Sequence, residues 1–231
     1  KDPKNKMLIL CSPHNPIGRV WTREELEKVG RICIDNNVLV VSDEIHFDFI
    51  LTGHKHTVFA NISEEFAQHC IICTAPSKTF NIAGLKISNI VIPNDHLRKQ
   101  LLEKNQRDFA SNALGIQACR ICYDDCGAWK DEMLCMIEYN YQQVKKFVEE
   151  KLPQIKVIEL QGTYLLWLDC TALGLSDEEL EKLTLGADLY LDEGYLFGPG
   201  GSGFERINLA CPTRYLMAAM ERFQKAISAL K

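Results

Sequence analysis

Three short clusters along the chain combine residue types that could bind a small molecule and act on it. They read HNPIG (residues 14–18), SDEIH (residues 42–46) and SKTFN (residues 77–81). A carboxylate can move a proton or balance a positive charge, and a lysine amine can act as a nucleophile or a base. Taken alone, each cluster has a simpler interpretation. Asn-Pro-x-Gly is a turn, an acidic residue at a strand end starts a loop or caps a helix, and a lysine in a polar loop is solvated.

The elements that position these clusters are short apolar strands alternating with helices. Buried strands are predicted at residues 7–10, 38–41, 70–74 and 87–92. A capping box at Thr22 and Glu25 begins the first helix, and another helix is predicted near Ser63. This alternation predicts an α/β layered domain with a largely parallel sheet. Asp43 then lies at the carboxyl end of a buried strand, where open α/β sheets bind their ligands.

The second half of the chain has a different pattern. Helical periodicity dominates from Asn94 to about Leu152. Further along, the sequence predicts strands at residues 155–160 and 164–169, a helix capped by Ser176 and Glu179, a strand at residues 206–209 and a last helix from Thr213. These elements predict a small α+β domain.

Composition excludes several classes of partner. The net charge of the 231 residues is −5 and the basic residues do not cluster, which argues against nucleic acid or an anionic membrane as the main partner. No apolar run approaches the ~20 residues that a membrane span needs. The chain has ten cysteines and no stretch like an export signal, so we expect reduced thiols in a cytoplasm.

In this order and spacing, the three clusters resemble the fold-type I pyridoxal phosphate (PLP) enzymes, the aspartate aminotransferase superfamily. Within it the chain is most similar to the MalY/PatB-type C–S lyases. The stretches that carry this resemblance are PHNPIGRVWT (residues 13–22), DEIHFD (residues 43–48), SKTFNIAGL (residues 77–85) and GTYLLWLD (residues 162–169). Ordinary aminotransferases share the Asn, Asp and Lys positions, but they typically carry Tyr in place of His46 and lack the context of His14.

The resemblance covers essentially the whole chain and implies the aspartate aminotransferase fold. It assigns residues 1–125 to the C-terminal part of the PLP-binding large domain, and residues 126–231 to a small C-terminal domain with its connecting helix. Superfamily members are longer, because an upstream region supplies a ring that stacks on the cofactor and a helix N-terminus for its phosphate. We therefore expect this sequence to be the C-terminal portion of a larger protein that forms a homodimer.

By this resemblance, Lys78 bonds to the cofactor aldehyde and, once substrate displaces it, becomes the base at Cα. An amine with an ordinary pKa of ~10.4 must lose its proton for either role, and burial beside other cations promotes that loss. Asp43 faces the pyridine nitrogen and keeps it protonated, as the electron sink requires. Raising that nitrogen's pKa by two units takes ~2.7 kcal/mol, and a close ion pair at intermediate dielectric supplies up to ~4 kcal/mol before desolvation, so one carboxylate suffices.

The resemblance also assigns groups around the cofactor ring and phosphate. Asn15 donates its amide to the phenolic oxygen of the ring. His46 occupies the position of the usual tyrosine partner of that oxygen, with a role in core or loop packing as the alternative. Ser77 supplies a hydroxyl to the phosphate, and Lys86 supplies a point charge where aminotransferases often have an arginine. Ala75 stands where many relatives have a serine.

Arg206 matches the small-domain arginine that binds the substrate α-carboxylate, a task suited to its bidentate fork. The implied reaction is β-elimination from L-cystathionine or another L-cysteine-type substrate, with a thiol, pyruvate and ammonia as products. One alternative is a class I/II aminotransferase. Another is a PLP-fold protein kept as a ligand-responsive partner of another protein. The set of Lys78, Asp43, Asn15 and Arg206 argues against the latter, because a pure binding module does not need all four.

Two other groups of possible metal ligands are interpreted as structural. Cys119, Cys122 and Cys126 have spacings that suit a packed helix face, where cysteine behaves as a small hydrophobic residue. The segment His54-Lys55-His56 is predicted to be a solvated loop. We therefore expect no metal site.

Overall fold

The structure, a computed structural model, describes residue 2, residues 4–104 and residues 112–230. The chain forms two compact units. The first consists of Lys1–His14 and Val20–Asp131, and the second of Asn15–Arg19 and Glu132–Lys231. The domain boundary predicted after residue 125 stays a prediction. Within the predicted helical stretch, residues 105–111 lie outside the described residues.

The first unit is an α/β layered unit, as the sequence predicts. Its elements in chain order are β1 (Met7–Cys11), α1 (Arg23–Asp35), β2 (Leu39–Asp43), α2 (Glu64–Gln68), β3 (Cys70–Thr74), α3 (Pro76–Thr79), β4 (Asn89–Val91), α4 (Asp95–Lys104) and α5 (Ala113–Asp125). Short 3-10 turns lie at Phe59–Asn61 and Ala83–Leu85.

The strands of this unit form a sheet in the order β1-β2-β3-β4. β2 pairs in parallel with both β1 and β3, and β4 pairs with β3 in the antiparallel direction. The sheet is therefore largely parallel, as predicted. Asp43 lies in register with Cys11 on one side and Cys73 on the other, so the carboxyl ends of the three parallel strands line up.

Helix α1 begins at the predicted capping box. The Thr22 hydroxyl accepts the N–H of Glu25, and the Glu25 carboxylate accepts the N–H of Thr22 at 3.0 Å. Fully burying a large apolar side chain contributes ~1.5–3 kcal/mol. The apolar core of this unit contains Leu10, Leu26, Cys33, Val40, Phe59, Ile62, Phe66, Cys70 and Ile72.

The second unit is built on an antiparallel sheet. Its elements are α6 (Gly127–Lys151, which begins in the first unit), β5 (Lys156–Val157), β6 (Leu165–Asp169), α7 (Asp177–Gly186), β7 (Asp192–Glu193), β8 (Phe204–Asn208) and α8 (Thr213–Ser228). The strand order is β5-β6-β8-β7. The capping box at Ser176 and Glu179 is confirmed. The strand predicted at residues 155–160 is only two residues long, and β7 was not predicted.

A buried amide ties α6 to the segment after β8. Asn140 is fully buried, and its Nδ2 donates to the carbonyls of Leu209 and Cys211, both at 2.8 Å. The Thr213 hydroxyl donates to Asn140 Oδ1 at 2.7 Å. Because every polar atom of this amide is bonded, its burial is compatible with a stable core.

None of the helices in the described ranges is long and apolar enough to cross a membrane.

Candidate functional site

The second and third sequence clusters lie at the carboxyl edge of the parallel strands in the first unit. Asp43 is the last residue of β2, and α3 begins shortly after β3 ends. Backbone hydrogen bonds join the strand ends: Ser12 N–H donates to Asp43 O at 2.9 Å, and Glu44 N–H donates to Cys73 O at 2.8 Å. This edge therefore places Asp43 and the turn of Lys78 on neighbouring strand ends, where sheets of this type bind ligands.

Lys78 lies on a helical turn, so the prediction of a polar loop is wrong at this position. The turn α3 has Pro76 at its start, and the N–H of Phe80 donates to Pro76 O at 2.9 Å. Proline favours a helix start because its φ is preset and its missing N–H is not needed there. Lys78 is exposed and Ser77 is half-buried. The burial expected to promote proton loss from Lys78 is thus not supplied by the described residues.

The carboxylate of Asp43 is fixed to the strand end by a local turn. Its Oδ1 accepts the N–H of Ile45 at 3.2 Å, the Asx-type bond that aspartate makes to the backbone two residues on. Asp43 is half-buried. A carboxylate held in this way has little freedom to rotate, which suits the proposed pairing with a ring nitrogen.

The His46 side chain is buried in the first unit. His46 is 3% exposed, and its ring centroid lies 6.0 Å from that of Phe49 at an interplanar angle of 55°. This aromatic contact inside the first unit is compatible with the packing role, and the cofactor role of His46 stays a prediction. Lys86, by contrast, is exposed and ends the Ala83–Leu85 turn with a left-handed φ of 49°. The phosphate role of Lys86 and Ser77 stays a prediction.

A buried polar group behind Asp43 was not predicted. Glu44 is 1% exposed; its Oε1 accepts the Ser42 hydroxyl at 2.9 Å and the Phe59 N–H at 3.0 Å. Its Oε2 pairs with His56 Nε2 at 2.8 Å, and the His56 side chain is only 9% exposed. The prediction of a solvated loop is therefore wrong for His56. The reason is physical: a buried carboxylate needs partners, and this loop supplies one.

An indole secures the loop after β1. Trp21 Nε1 donates to the carbonyl of Cys11 at 2.9 Å, and the rings of Trp21 and His14 meet edge to face at 6.2 Å. Both rings belong to the stretch PHNPIGRVWT that carries the sequence resemblance. In the first unit, this contact fixes the chain as it leaves the strand next to Asp43.

In the second unit, the Asn-Pro-x-Gly segment is held by the backbone that precedes β6. Gly18 O accepts the N–H groups of Gln161 and Gly162, both at 2.9 Å. Gly18 has a left-handed φ of +72°, and a Cβ there would lie 2.4 Å from Leu160 Cδ1. Both the positive φ and the short distance from a Cβ to Leu160 therefore favour glycine at this position. Asn15 is positioned by this anchored turn.

The structure brings Asn15 and Arg206 together within the second unit. Arg206 Nη1 donates to Asn15 Oδ1 at 2.6 Å, and Nε and Nη2 donate to Asp192 Oδ2 at 3.2 and 2.6 Å. The guanidinium also lies over the Phe197 ring at 4.7 Å. A guanidinium has five N–H donors. After these bonds to described residues, Nη1 and Nη2 each have one N–H left. These two N–H groups can donate in parallel to the two oxygens of a carboxylate.

The cysteine group on α5 is helical, as predicted. Cys119 and Cys122 lie within Ala113–Asp125, and Cys126 caps its C-terminus. Burial raises the pKa of the Cys122 thiol, with the neighbouring thiols adding to the rise. Across residues 4–104 and 112–230, no group of three His, Cys, Asp or Glu side chains is placed to hold a metal ion.

Comparison with known proteins supports the predicted resemblance. The family model "Aminotransferase class I and II" matches residues 1–223. Cystathionine beta-lyase PatB of Bacillus subtilis is 44% identical over 230 residues, 98% of this chain and 59% of the relative. Protein MalY of Escherichia coli is 31% identical over 234 residues, 99% of this chain and 59% of the relative. The chain thus spans about three fifths of the length of these relatives.

The fold prediction is confirmed by a solved structure. Cystalysin from Treponema denticola, whose crystal structure contains a pyridoxal 5'-phosphate cofactor, is 45% identical and superposes with a TM-score of 0.97. The match covers 100% of this chain and 59% of that chain. The predicted aspartate aminotransferase fold is therefore correct.

Proposed function

The chain belongs to the aminotransferase class I and II family, and on this premise we propose that the whole protein is a PLP-dependent C–S β-lyase acting on L-cystathionine or a similar L-cysteine-type substrate. The observation that carries the proposal is the 44% identity to a cystathionine beta-lyase across 98% of the chain. It is supported by the placement of Asp43 and the turn of Lys78 on adjacent strand ends.

The groups at this edge fit PLP chemically. Lys78 offers an exposed primary amine, which can bond to an aldehyde, and Asp43 offers a carboxylate fixed by its own turn. When bound, PLP supplies an electron sink for the electron pair left at the substrate Cα. The amine must be deprotonated to act, and the carboxylate must stay ionised to hold a proton on the ring nitrogen.

Each residue then has a defined task in the proposal. Lys78 Nζ would hold the cofactor and, once free, would accept the Cα proton of the substrate. Asp43 would keep a proton on the ring nitrogen. Asn15, whose Oδ1 faces Arg206, donates its Nδ2 to the ring oxygen, and Ser77 and Lys86 bind the phosphate. Arg206 binds the substrate α-carboxylate. After the Cα proton is lost, the electron pair at Cα forms a Cα–Cβ double bond as the Cβ–S bond breaks, and the sulfur takes up a proton and leaves as a thiol. Hydrolysis of the released aminoacrylate yields pyruvate and ammonia.

Arg206→Lys is expected to lower kcat/KM of the whole protein about 10–100-fold, mainly through a higher KM. An ammonium keeps the charge but cannot make two parallel hydrogen bonds, and a hydrogen bond to a charged group contributes ~1.5–3 kcal/mol. Steady-state kinetics with L-cystathionine measures this effect. Arg214→Lys, at an exposed arginine of α8, is the matched control. If Arg206→Lys leaves the KM unchanged, Arg206 does not bind the substrate.

The lyase is separated from an aminotransferase by supplying L-cystathionine without any keto acid. We expect pyruvate to form, because elimination needs no amino-group acceptor. Pyruvate that appears only after a keto acid is added contradicts the lyase and supports an aminotransferase. A turnover rate of the whole protein no better than that of free PLP favours the third alternative, a ligand-responsive binding protein.

We further propose that the whole protein acts as a homodimer in the cytoplasm on a small amino-acid substrate. The cytoplasmic assignment is supported by the cysteines, none of which forms a disulfide among the described residues, as in reducing compartments. The homodimer is supported by the resemblance to the superfamily. Light scattering of the purified whole protein tests it: a monomeric mass contradicts the proposal.

A further inference from the structure

The turn that carries Lys78 is too short to hold its own position. Helix α3 has four residues. A helix of this length is not stable alone in water, because the free energy needed to nucleate it exceeds the stabilisation from its few hydrogen bonds. Its C-terminal bonds join Phe80 N–H to Pro76 O at 2.9 Å and Ile82 N–H to Ser77 O at 3.1 Å. Contacts with other parts of the first unit must therefore fix where Lys78 lies.

The residue after Lys78 makes one such contact. Thr79 is fully buried, and its Oγ1 donates to Oδ2 of Asp48 at 2.7 Å. Asp48 lies in the segment that follows β2, five residues after Asp43. This hydrogen bond thus connects the turn that bears Lys78 with the segment that bears Asp43.

Asp48 also lies near α5. Burial and then the charge of Asp48 raise the pKa of the Tyr123 phenol, so this phenol keeps its proton beside the Asp48 carboxylate. Phe80 meets the Tyr123 ring edge to face at 5.3 Å, and Phe47 stacks on it at 6.5 Å. The carboxylate of Asp48 therefore accepts the Thr79 hydroxyl and lies near the Tyr123 ring, against which Phe47 and Phe80 pack.

From these contacts we propose that Asp48 and Thr79 are positioning residues, and that their hydrogen bond sets the placement of Lys78 relative to Asp43. The inference rests on the proposed function, in which those two residues act on one cofactor. Because Thr79 is buried, we expect it to affect catalysis by positioning Lys78 and not by contacting the cofactor or the substrate. A bond to an ionised acceptor is about twice as strong as a neutral one, and a 1 Å misplacement of a reacting group costs about 10²-fold in rate.

The test is Thr79→Val in the whole protein loaded with PLP. Valine keeps the shape of threonine but cannot donate, so we expect kcat to fall about 10–100-fold with KM little changed. We also expect the pH midpoint of the visible absorption band of bound PLP to move by about half a unit or more, because the charges around the Lys78 nitrogen are displaced. Thr79→Ser keeps the hydroxyl and should restore both quantities.

The inference is overturned if Thr79→Val keeps the wild-type kcat and the wild-type pH midpoint of the absorption band. It is also overturned if kcat falls equally in Thr79→Val and Thr79→Ser. If Thr79→Val does not fold, Asp48→Asn replaces it: loss of the charge weakens the hydrogen bond from Thr79, so the midpoint must move, and an unmoved midpoint overturns the inference. Wild type and Lys78→Ala are measured alongside. If wild type shows no visible absorption band of bound PLP, the proposed function is refuted. If the band is lost in Lys78→Ala but its pH midpoint is unchanged in Thr79→Val, only the inference is refuted.

Discussion

Lys78→Ala is expected to lower kcat/KM for β-elimination by about 10²–10⁴-fold, the typical contribution of a positioned acid–base group. Alanine removes both the amine that holds the cofactor and the base that takes the Cα proton. The measurement is pyruvate release from L-cystathionine by the whole protein at saturating PLP. Because PLP in solution reacts slowly with amino acids by itself, the rate of free PLP is subtracted.

The matched control is Lys99→Ala, which removes an exposed lysine from α4 in the same unit. It makes the same change in net charge, so it should keep wild-type kinetics. If Lys78→Ala retained more than about a tenth of the wild-type kcat/KM, Lys78 would not be the residue that moves the proton. Added alkylamines offer a second readout, since a small amine can partly replace a missing lysine.

The second large effect concerns a buried acid in the second unit. Glu205 lies in β8, fully buried and in register with Leu168. Neither of its carboxylate oxygens has a hydrogen-bond partner among the described residues. Burial, followed by nearby negative charges, raises its pKa to about 8; those charges belong to Glu193, Glu181, Asp177 and Asp192. At neutral pH the folded protein therefore holds Glu205 mostly in its neutral form.

This raised pKa makes the stability of the second unit fall as pH rises. Below the ordinary pKa of 4.5, Glu205 is protonated in both the folded and the unfolded state. Between pH 4.5 and about 8 the unfolded chain releases the proton while the folded chain keeps it, so unfolding is favoured. Above about pH 8 both states are ionised and the contribution is fully lost. At about 1.4 kcal/mol per pH unit, the loss across this window amounts to roughly 2–5 kcal/mol.

Glu205→Gln is therefore expected to match wild type near pH 4 and to be more stable by roughly 2–5 kcal/mol at pH 8. Glutamine has the shape of the neutral acid and cannot ionise. Urea unfolding at the two pH values measures the difference in the free energy of unfolding. Glu178→Gln makes the same charge change at a side chain that is 77% exposed and serves as the control. A stability difference between Glu205→Gln and wild type that is the same at both pH values contradicts the assignment.

Local rules explain the parts of the fold that the sequence predicted correctly. The capping boxes at Thr22 and Ser176 need only residues three positions apart, and both are present in the structure. Strand β3 agrees residue for residue with the predicted range 70–74 because its apolar run is continuous. The short elements were missed: β7 has two residues and α3 has four, so neither is long enough for its hydrophobic pattern to repeat.

The candidate site could be predicted only where its residues form motifs. Asn15, Asp43 and Lys78 were proposed from the resemblance that the order and spacing of the motifs carry, and their roles stay predictions. The contacts that support these residues join distant positions that no local pattern links. Asp48 and Thr79 are 31 residues apart, and Glu44 pairs with His56 across a loop. Glu205 violates the usual rule that charged residues lie outside. These contacts depend on tertiary packing, so no local sequence pattern predicts them.

Borohydride reduction of the PLP-loaded whole protein, followed by peptide mass spectrometry, tests whether Lys78 is the residue that bonds to the cofactor. Reduction makes a bond between a lysine and the cofactor permanent, so the labelled lysine can be read from its peptide. We expect a pyridoxyl group on Nζ of Lys78 and on no other lysine of the chain. A stable label on Lys86 or another lysine with Lys78 unmodified, or no stable label at saturating PLP, would contradict it.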